Sequence, residues 1–252
     1  MNWGTVEELK GDFTDNYAKT TDGNAVGGAL VNNYGNENST FGTLQGNFEN
    51  NKAISENGYA QGGAIYNQNT TINSITGNFI GNSSSSTSKN ALGGAIHNNE
   101  GTIGSIEGLF IGNNASSSSN ASSSSGYAYG GAIYNTEGTI GIISGIFIDN
   151  WVDCTAHASA GAIANTGDIG LITGTFTKNH ANGNWATYGG NISNFLGGTI
   201  DTLNADFFGN YGTSGGAIYN SNGATIGEIT GNFINNYGFV YGGAVYNSST
   251  IT

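Results

Sequence analysis

Proline and arginine are both absent from the 252 residues, and cysteine occurs once, as Cys154. Charged residues make up only 9% of the chain. Each shortage closes off a class of function. The five lysines, Lys10, Lys19, Lys52, Lys89 and Lys178, are dispersed, so there is no cationic cluster to displace counterions from phosphates. That argues against a nucleic-acid partner, and against an anionic membrane surface for the same reason. The formal net charge of −12 comes from scattered acids and is read as solubility. A lone cysteine supports no internal disulfide framework and no paired-cysteine metal site, so Cys154 is expected to be a quiet thiol. No apolar run approaches the ~18 residues that cross a bilayer as a helix, so this segment is not expected to insert into a membrane. Met1-Asn2-Trp3-Gly4 leads straight into a repeat, and no export signal is read there.

Glycine, by contrast, is abundant at 44 residues. A disordered glycine-rich chain lacks periodic apolar residues; this one keeps them in register. The stretch Gly130–Asn150, GGAIYNTEGTIGIISGIFIDN, shows the unit, which returns along the whole chain. A Thr-Ile step recurs at Thr71, Thr102, Thr139, Thr199, Thr225 and Thr250, with variants at Thr5-Val6, Thr40-Phe41 and Asp168-Ile169. These nine steps bound eight repeats of 25 to 37 residues. Each then places an aliphatic residue, next a phenylalanine (Phe13, Phe48, Phe79, Phe110, Phe147, Phe176, Phe207 and Phe233), and three residues later an asparagine. After a loop of variable length, a glycine segment carries a fourth apolar row from Leu30 to Val245, with a second asparagine row two residues on.

Pieces this short and bounded by Gly or Asn are strands, not helices. Three short strands per repeat predict an all-β chain: a right-handed, single-stranded parallel β-helix of about eight coils, forming one domain over residues 1–252. At about 4.8 Å per coil it would be ~40 Å long. Three aliphatic ladders and the Phe ladder form the predicted core. The asparagines are expected to take left-handed turn conformations and to bond their amides from coil to coil. Ala160-Gly161 and Asn191 break the usual Gly-Gly-Ala pattern, so a local distortion is expected in coils five and six. The loops Ser83–Ser88 and Ala115–Ser125 are nearly pure Ser, Asn and Ala and are expected to be flexible, exposed excursions. Both ends fall at the same phase of the repeat without a capping segment. That suggests either a fragment of a longer protein or ends that pair with a neighbouring copy.

The motifs GGAI at Gly62–Ile65, Gly93–Ile96, Gly130–Ile133 and Gly215–Ile218, GGAL at Gly27–Leu30 and GGAV at Gly242–Val245 alternate with FxxN in all eight repeats. In this the chain resembles the chlamydial polymorphic membrane proteins and related autotransporter passengers. The resemblance implies an extracellular or bacterial cell-surface β-helix, commonly adhesive, exported through a C-terminal β-barrel. Neither the export signal nor the barrel is read in this sequence, which suits the expectation of a segment of a longer protein.

Chemistry is sparse. β-Helix lyases of acidic polysaccharides use an Arg base, and none exists here. The most enzyme-like group is Asp149, Trp151, Asp153 and His157, but no matching carboxylate pair occurs in the next coil. His97, His157 and His180 occupy different phases of the repeat and lack metal-ligand spacing. No cofactor or metal is expected. His97 stands where other repeats have Tyr and is expected to be an outward surface residue. The outward Thr row gives one rank, where an ice-binding face wants two. The better recognition candidates are two outward tyrosine rows: Tyr66, Tyr134, Tyr219 and Tyr246, and beside them Tyr129, Tyr188 and Tyr241. The expected function is a non-enzymatic adhesin-like β-helix that binds a host or neighbouring-cell surface protein or glycan through these rows and the loops. A subunit stacking end to end into an extracellular fibre is the alternative, and a polysaccharide-active enzyme the third.

Overall fold

The computed structural model describes residues 4–33, 39–119, 126–183 and 186–252. All strand pairing among them is parallel, in three stacked sheets wound as a right-handed β-helix. The first sheet runs from Thr5–Lys10 to Thr250–Ile251 along a path of nine strands, with the Thr-Ile steps in register. Its longest members, such as Thr102–Ile111, carry both the second aliphatic and the Phe. The second sheet holds eight strands of the glycine segments, from Leu30–Asn32 to Val245–Asn247.

The third sheet has fourteen strands and is folded into two walls. One wall follows the first asparagine row, from Tyr17–Thr20 through Ser83–Ser86 and Trp151–Cys154 to His180–Gly183. The other precedes the glycine pairs, from Ala25–Val26 through Ala128–Tyr129 and His157–Ser159 to Ala186–Tyr188. Each coil is therefore a broad enclosed body with a thin two-walled arm. Tyr211–Ser214 pairs with both walls, through His180 and Tyr188, and closes the arm.

The body encloses the predicted ladders. Successive Phe rings from Phe13 to Phe233 stack with centroids 4.6–5.2 Å apart and planes within 10°. Those from Phe48 to Phe207 are fully buried. Both asparagine rows are continuous amide ladders. Each Nδ2 donates to the next Oδ1 at 2.9–3.3 Å in the first row and 2.8–3.0 Å in the second. In the first row the second Nδ2 proton is used too: Asn113 donates to the Phe79 carbonyl of the preceding coil at 2.8 Å. Buried amides so matched incur no desolvation penalty for unmet partners.

Three expectations change. The ladder asparagines of neither row are left-handed; in the first row the residue before each is. Asp15, Asn50, Gly81, Gly112, Asp149, Lys178, Gly209 and Asn235 have φ of 51–63°. They form the outer side of the turn, which leaves the next side chain free to point inward to its ladder.

The serine-rich segments are not excursions over Ser83–Ser86 and Asn114–Ser117, which are strands of the arm with Ser84, Ser86 and Ser117 buried. The arm walls lie too close for large side chains, so its interior is built of Ala, Ser, Val and Cys154. Ser86 Oγ also accepts from the Lys89 amide and donates to the Gly58 carbonyl, which fastens the arm tip to the coil before. Residues 120–125 of the second serine-rich stretch lie outside the described residues, as do 1–3 of the opening segment.

The third change concerns coils five and six. Ala160 adopts the left-handed φ of 64° that the first glycine takes elsewhere, and the rungs there stay in register. The register shift falls between Gly212 and Ser214. Asn191 is accommodated at a cost of another kind. It is fully buried at the position held by core alanines such as Ala162 and Ala217, and both its amide atoms lack a hydrogen-bond partner.

Two measurements check this account. Phe110→Ala is expected to lose about 3–5 kcal/mol of unfolding free energy in a urea titration, because the rungs on either side are held apart by their own hydrogen bonds and cannot close the gap. Asn191→Ala is expected to gain about 1–3 kcal/mol in the same assay by removing two buried unpaired polar atoms. A loss there would refute this account of the site.

Candidate functional site

Each glycine pair makes a tight corner. The first glycine is left-handed, as in Gly93 with φ 62°. The second admits no side chain: a Cβ on Gly94 would lie 2.0 Å from the Gly131 carbonyl oxygen. The corner folds the outer face of the second arm wall toward the outer face of the second sheet. Rings from the two faces meet across it, Tyr129 with Tyr134 at 5.4 Å, Tyr188 with Tyr219 at 4.9 Å and Tyr241 with Tyr246 at 5.8 Å.

The two tyrosine rows therefore point outward from the helix but do not stand on an open surface. Tyr66, Tyr134 and Tyr219 are 4%, 6% and 9% exposed, and His97 only 1%. The expectation that His97 is a surface residue is thus corrected. It lies between Tyr66, tilted at 57° with centroids 5.4 Å apart, and Tyr134, on which it stacks at 5.1 Å, and its Nε2 is 3.0 Å from Thr136 Oγ1. Tyr129, Tyr188 and Tyr246 are half-buried, and Tyr241 is 60% exposed.

Both rows have gaps, and the gaps make a site. In the row of the second sheet, Tyr134 is followed by Ala164 and Ser193 before Tyr219 resumes it. Phe195, on the turn after Ile192–Asn194, packs with Ala164, Ala160 and Tyr134. It meets Tyr129 at 5.6 Å. On the arm wall, the register runs Tyr129, Ser159, Tyr188, so a serine separates two tyrosines. The result is a slot of about 250 Å³. Tyr127, Tyr129, His157, Ser159 and Tyr188 form one side; Phe195, Leu196, Tyr219 and Asn222 form the other. The Tyr129–Phe195 and Tyr188–Tyr219 contacts close its two ends.

No Asp, Glu, Lys or Arg lines the slot. Burial raises the Tyr129 hydroxyl well above the ordinary tyrosine range, and neighbouring tyrosines, Tyr134 first, raise it further. Burial raises Tyr219 as well. Both rings stay neutral, and the slot is a largely aromatic recess with polar groups at Ser159, Asn222 and His157. It offers stacking and hydrogen bonding.

The group that looked most enzyme-like is not one site. Trp151 and Asp153 lie on the outer face of the first arm wall, and His157 on the outer face of the second, with the Ala/Val/Cys interior between. Asp153 accepts from Asn182 at 3.3 Å. Trp151 stacks on His180, and His180 on Tyr211 at 4.6 Å. Burial lowers the His180 pKa, partly offset by the Lys178 carbonyl, Asp149 and Asp153. Burial also pushes the Cys154 thiol up to about 11. Among the described residues, no three His, Cys, Asp or Glu side chains converge.

Of the sequence candidates, Tyr129, Tyr188 and Tyr219 come together in the slot, while Tyr66, Tyr134, Tyr241 and Tyr246 lie outside its lining. Phe195, Ser159, Tyr127 and His157 were missed as members. The available signal was the interruption of each Tyr row by a small residue, together with a connection from Asn194 to Thr199 one residue longer than that from Asn135 to Thr139.

Burial lowers the His97 pKa to about 3, so the folded state excludes a proton that the unfolded chain accepts near pH 6.5. The stability tied to neutral His97 is complete above pH 6.5 and is lost as pH falls toward 3. His97→Tyr, which continues the row of Tyr66 and Tyr134, is expected to flatten the fall in melting temperature over that window. An unchanged slope would show that His97 is not the group responsible.

Compared with known protein families, with curated proteins and with solved structures, the chain matches none.

Proposed function

We propose that this chain is a non-enzymatic recognition solenoid of the bacterial surface-adhesin type, and that it engages its partner at the aromatic slot. The observation that carries this reading is the slot itself. A row of stacked tyrosines that served only the sheet would gain by being complete. Here Ser159 interrupts the row between Tyr129 and Tyr188, at a corner where two ring-bearing faces converge. Aromatic residues with polar tips in a partly desolvated recess are the usual anchors of binding. The alternating GGA and FxxN motifs support display at a cell surface. The lack of converging acid, base or metal-ligating groups among the described residues favours binding over turnover.

The test is binding of the fluorescently labelled chain to a panel of eukaryotic and bacterial cells, beside its Ser159→Tyr variant. Tyrosine is already carried at the equivalent outward position in the coils on either side, so the variant fills the slot in a manner the fold accommodates. Saturable binding that drops ~10-fold or more in the variant is expected, the effect of removing an anchor worth one decade of affinity. Binding that is absent, or indifferent to Ser159→Tyr, overturns the proposal.

A further inference from the structure

We infer that the outer face of the first arm wall holds a second recognition site, where the guanidinium of a partner's arginine lies against Trp151 and pairs with Asp153. It is independent of the slot, which lies on the other wall of the arm.

The first support is a step in the wall. Two outward columns run along this face, Ser83, Asn114 and Trp151 in one and Ser85, Ser116 and Asp153 in the other. Two rungs of small side chains thus end at an indole and a carboxylate, side by side on one strand. The Trp151 ring stacks on His180 of the next coil, with planes 9° apart. Its other face therefore looks back over Asn114, and an indole reaches farther from the strand than the amide one rung below. Among the described residues, no second ring stacks on Trp151. Beside it opens a hollow of about 180 Å³, lined by Asp153, Ser85, Ser116, Ser118 and Thr155.

The second support is an uncompensated charge. Asp153 is exposed, and its carboxylate accepts one hydrogen bond, from Asn182 at 3.3 Å. The one ion pair among the described residues joins Lys10 to Glu8, so Asp153 has no counter-charge of its own. Asp149 and Lys178, on the adjoining turns, carry opposite charges and leave that of Asp153 unanswered. A cation at the step meets this carboxylate, hydroxyls that can accept, and the ring that attracts cations most strongly. An anion would meet Asp153 unfavourably. A divalent metal ion wants several anionic oxygens, and no three His, Cys, Asp or Glu converge among the described residues.

The third support identifies the cation. A guanidinium is flat, so it can stack on an indole while its N–H groups fork to a carboxylate and to hydroxyls. An ammonium is a compact point charge and uses less of the step. The chain contains no arginine. Neither one of its own residues nor a second copy can supply the group, so the occupant belongs to a different molecule.

Titration of the isotope-labelled chain with N-acetyl-arginine methylamide, followed at the Trp151 indole N–H by NMR, tests this. The lysine analogue and the citrulline analogue, a neutral isostere, are the comparisons. The arginine probe is expected to shift the Trp151 signal saturably at millimolar concentration. The lysine probe is expected to bind ~3-fold more weakly or worse, and the citrulline probe ~10-fold. Asp153→Asn is expected to weaken arginine binding about threefold to tenfold. Glu107→Gln removes the same charge from an exposed position on the first sheet and is expected to change binding by less than about twofold. Trp151→Asn, which repeats Asn114 of the coil before, is expected to cost about twofold to fivefold, read at the Ser116 amide. Because Asp153 is exposed, Asp153→Asn keeps the test informative if Trp151→Asn misfolds. No saturable shift at Trp151, citrulline or lysine binding as tightly as arginine, or binding unchanged in Asp153→Asn overturns the inference. Equal losses in Asp153→Asn and Glu107→Gln also overturn it, as general attraction to a chain of net charge −12. A failed Ser159→Tyr cell-binding test bears on the slot and leaves this site standing.

Discussion

On the inner coils each strand residue in the body of this molecule has its own counterpart one strand spacing above and below, and that repetition governs what each position can be. An asparagine meets the condition because its side chain is donor and acceptor at once. Asn82 donates to Asn113 at 2.9 Å while Asn51 donates to Asn82 at 3.0 Å, so one amide spans each strand spacing. An aspartate column would stack acceptor on acceptor and a lysine column charge on charge. Phenylalanine meets the condition by burying its faces against copies of itself. The inward rows of the body are therefore close to uniform, and Asn191 among core alanines shows what a departure costs.

That is why the fold could be read from the residues. The rows of Thr-Ile, Phe and Asn are the stacking rule written along the chain, and the in-register pairing of Phe79 with Phe110 and of Asn67 with Asn98 follows from them. The arm was not legible, because small residues such as Ser84 and Ala115 carry the same signal whether they line a narrow interior or a solvated loop. The site was half legible. Tyr129, Tyr188 and Tyr219 stood out as aromatics on outward positions, but outward from a strand is not the same as exposed. The corner that brings the two rows face to face depends on the direction in which a Gly-Gly pair bends, which no periodicity reports. Phe195 escaped notice because it lies on a turn, out of phase with every row.

The arm separates two demands that usually conflict. Its interior is a cluster of its own, from Ala91 to Ala181, apart from the Phe-centred core. The number of residues between the first asparagine and the glycine pair changes from coil to coil, from the stretch Asn210 to Gly215 to the stretch Asn113 to Gly130, while the body keeps its register. Recognition surfaces on the arm and its corner can vary without disturbing the stacked ladders that hold the rod together.

The two asparagine ladders also have a direction. In both, the amide-to-amide bonds all run from Nδ2 to the Oδ1 of the coil of higher residue number, from Asn16 to Asn236 in one and from Asn32 to Asn247 in the other. Aligned amides are aligned dipoles, and dipoles in series polarise one another. The rod thus carries two parallel electrical columns, partially positive toward its last coil and partially negative toward its first. This is the opposite sense to an α-helix, whose amino end is the positive one. Its two ends therefore differ in electrostatic potential as well as in shape, a polarity set by the orientation of side-chain amides and independent of any charged residue.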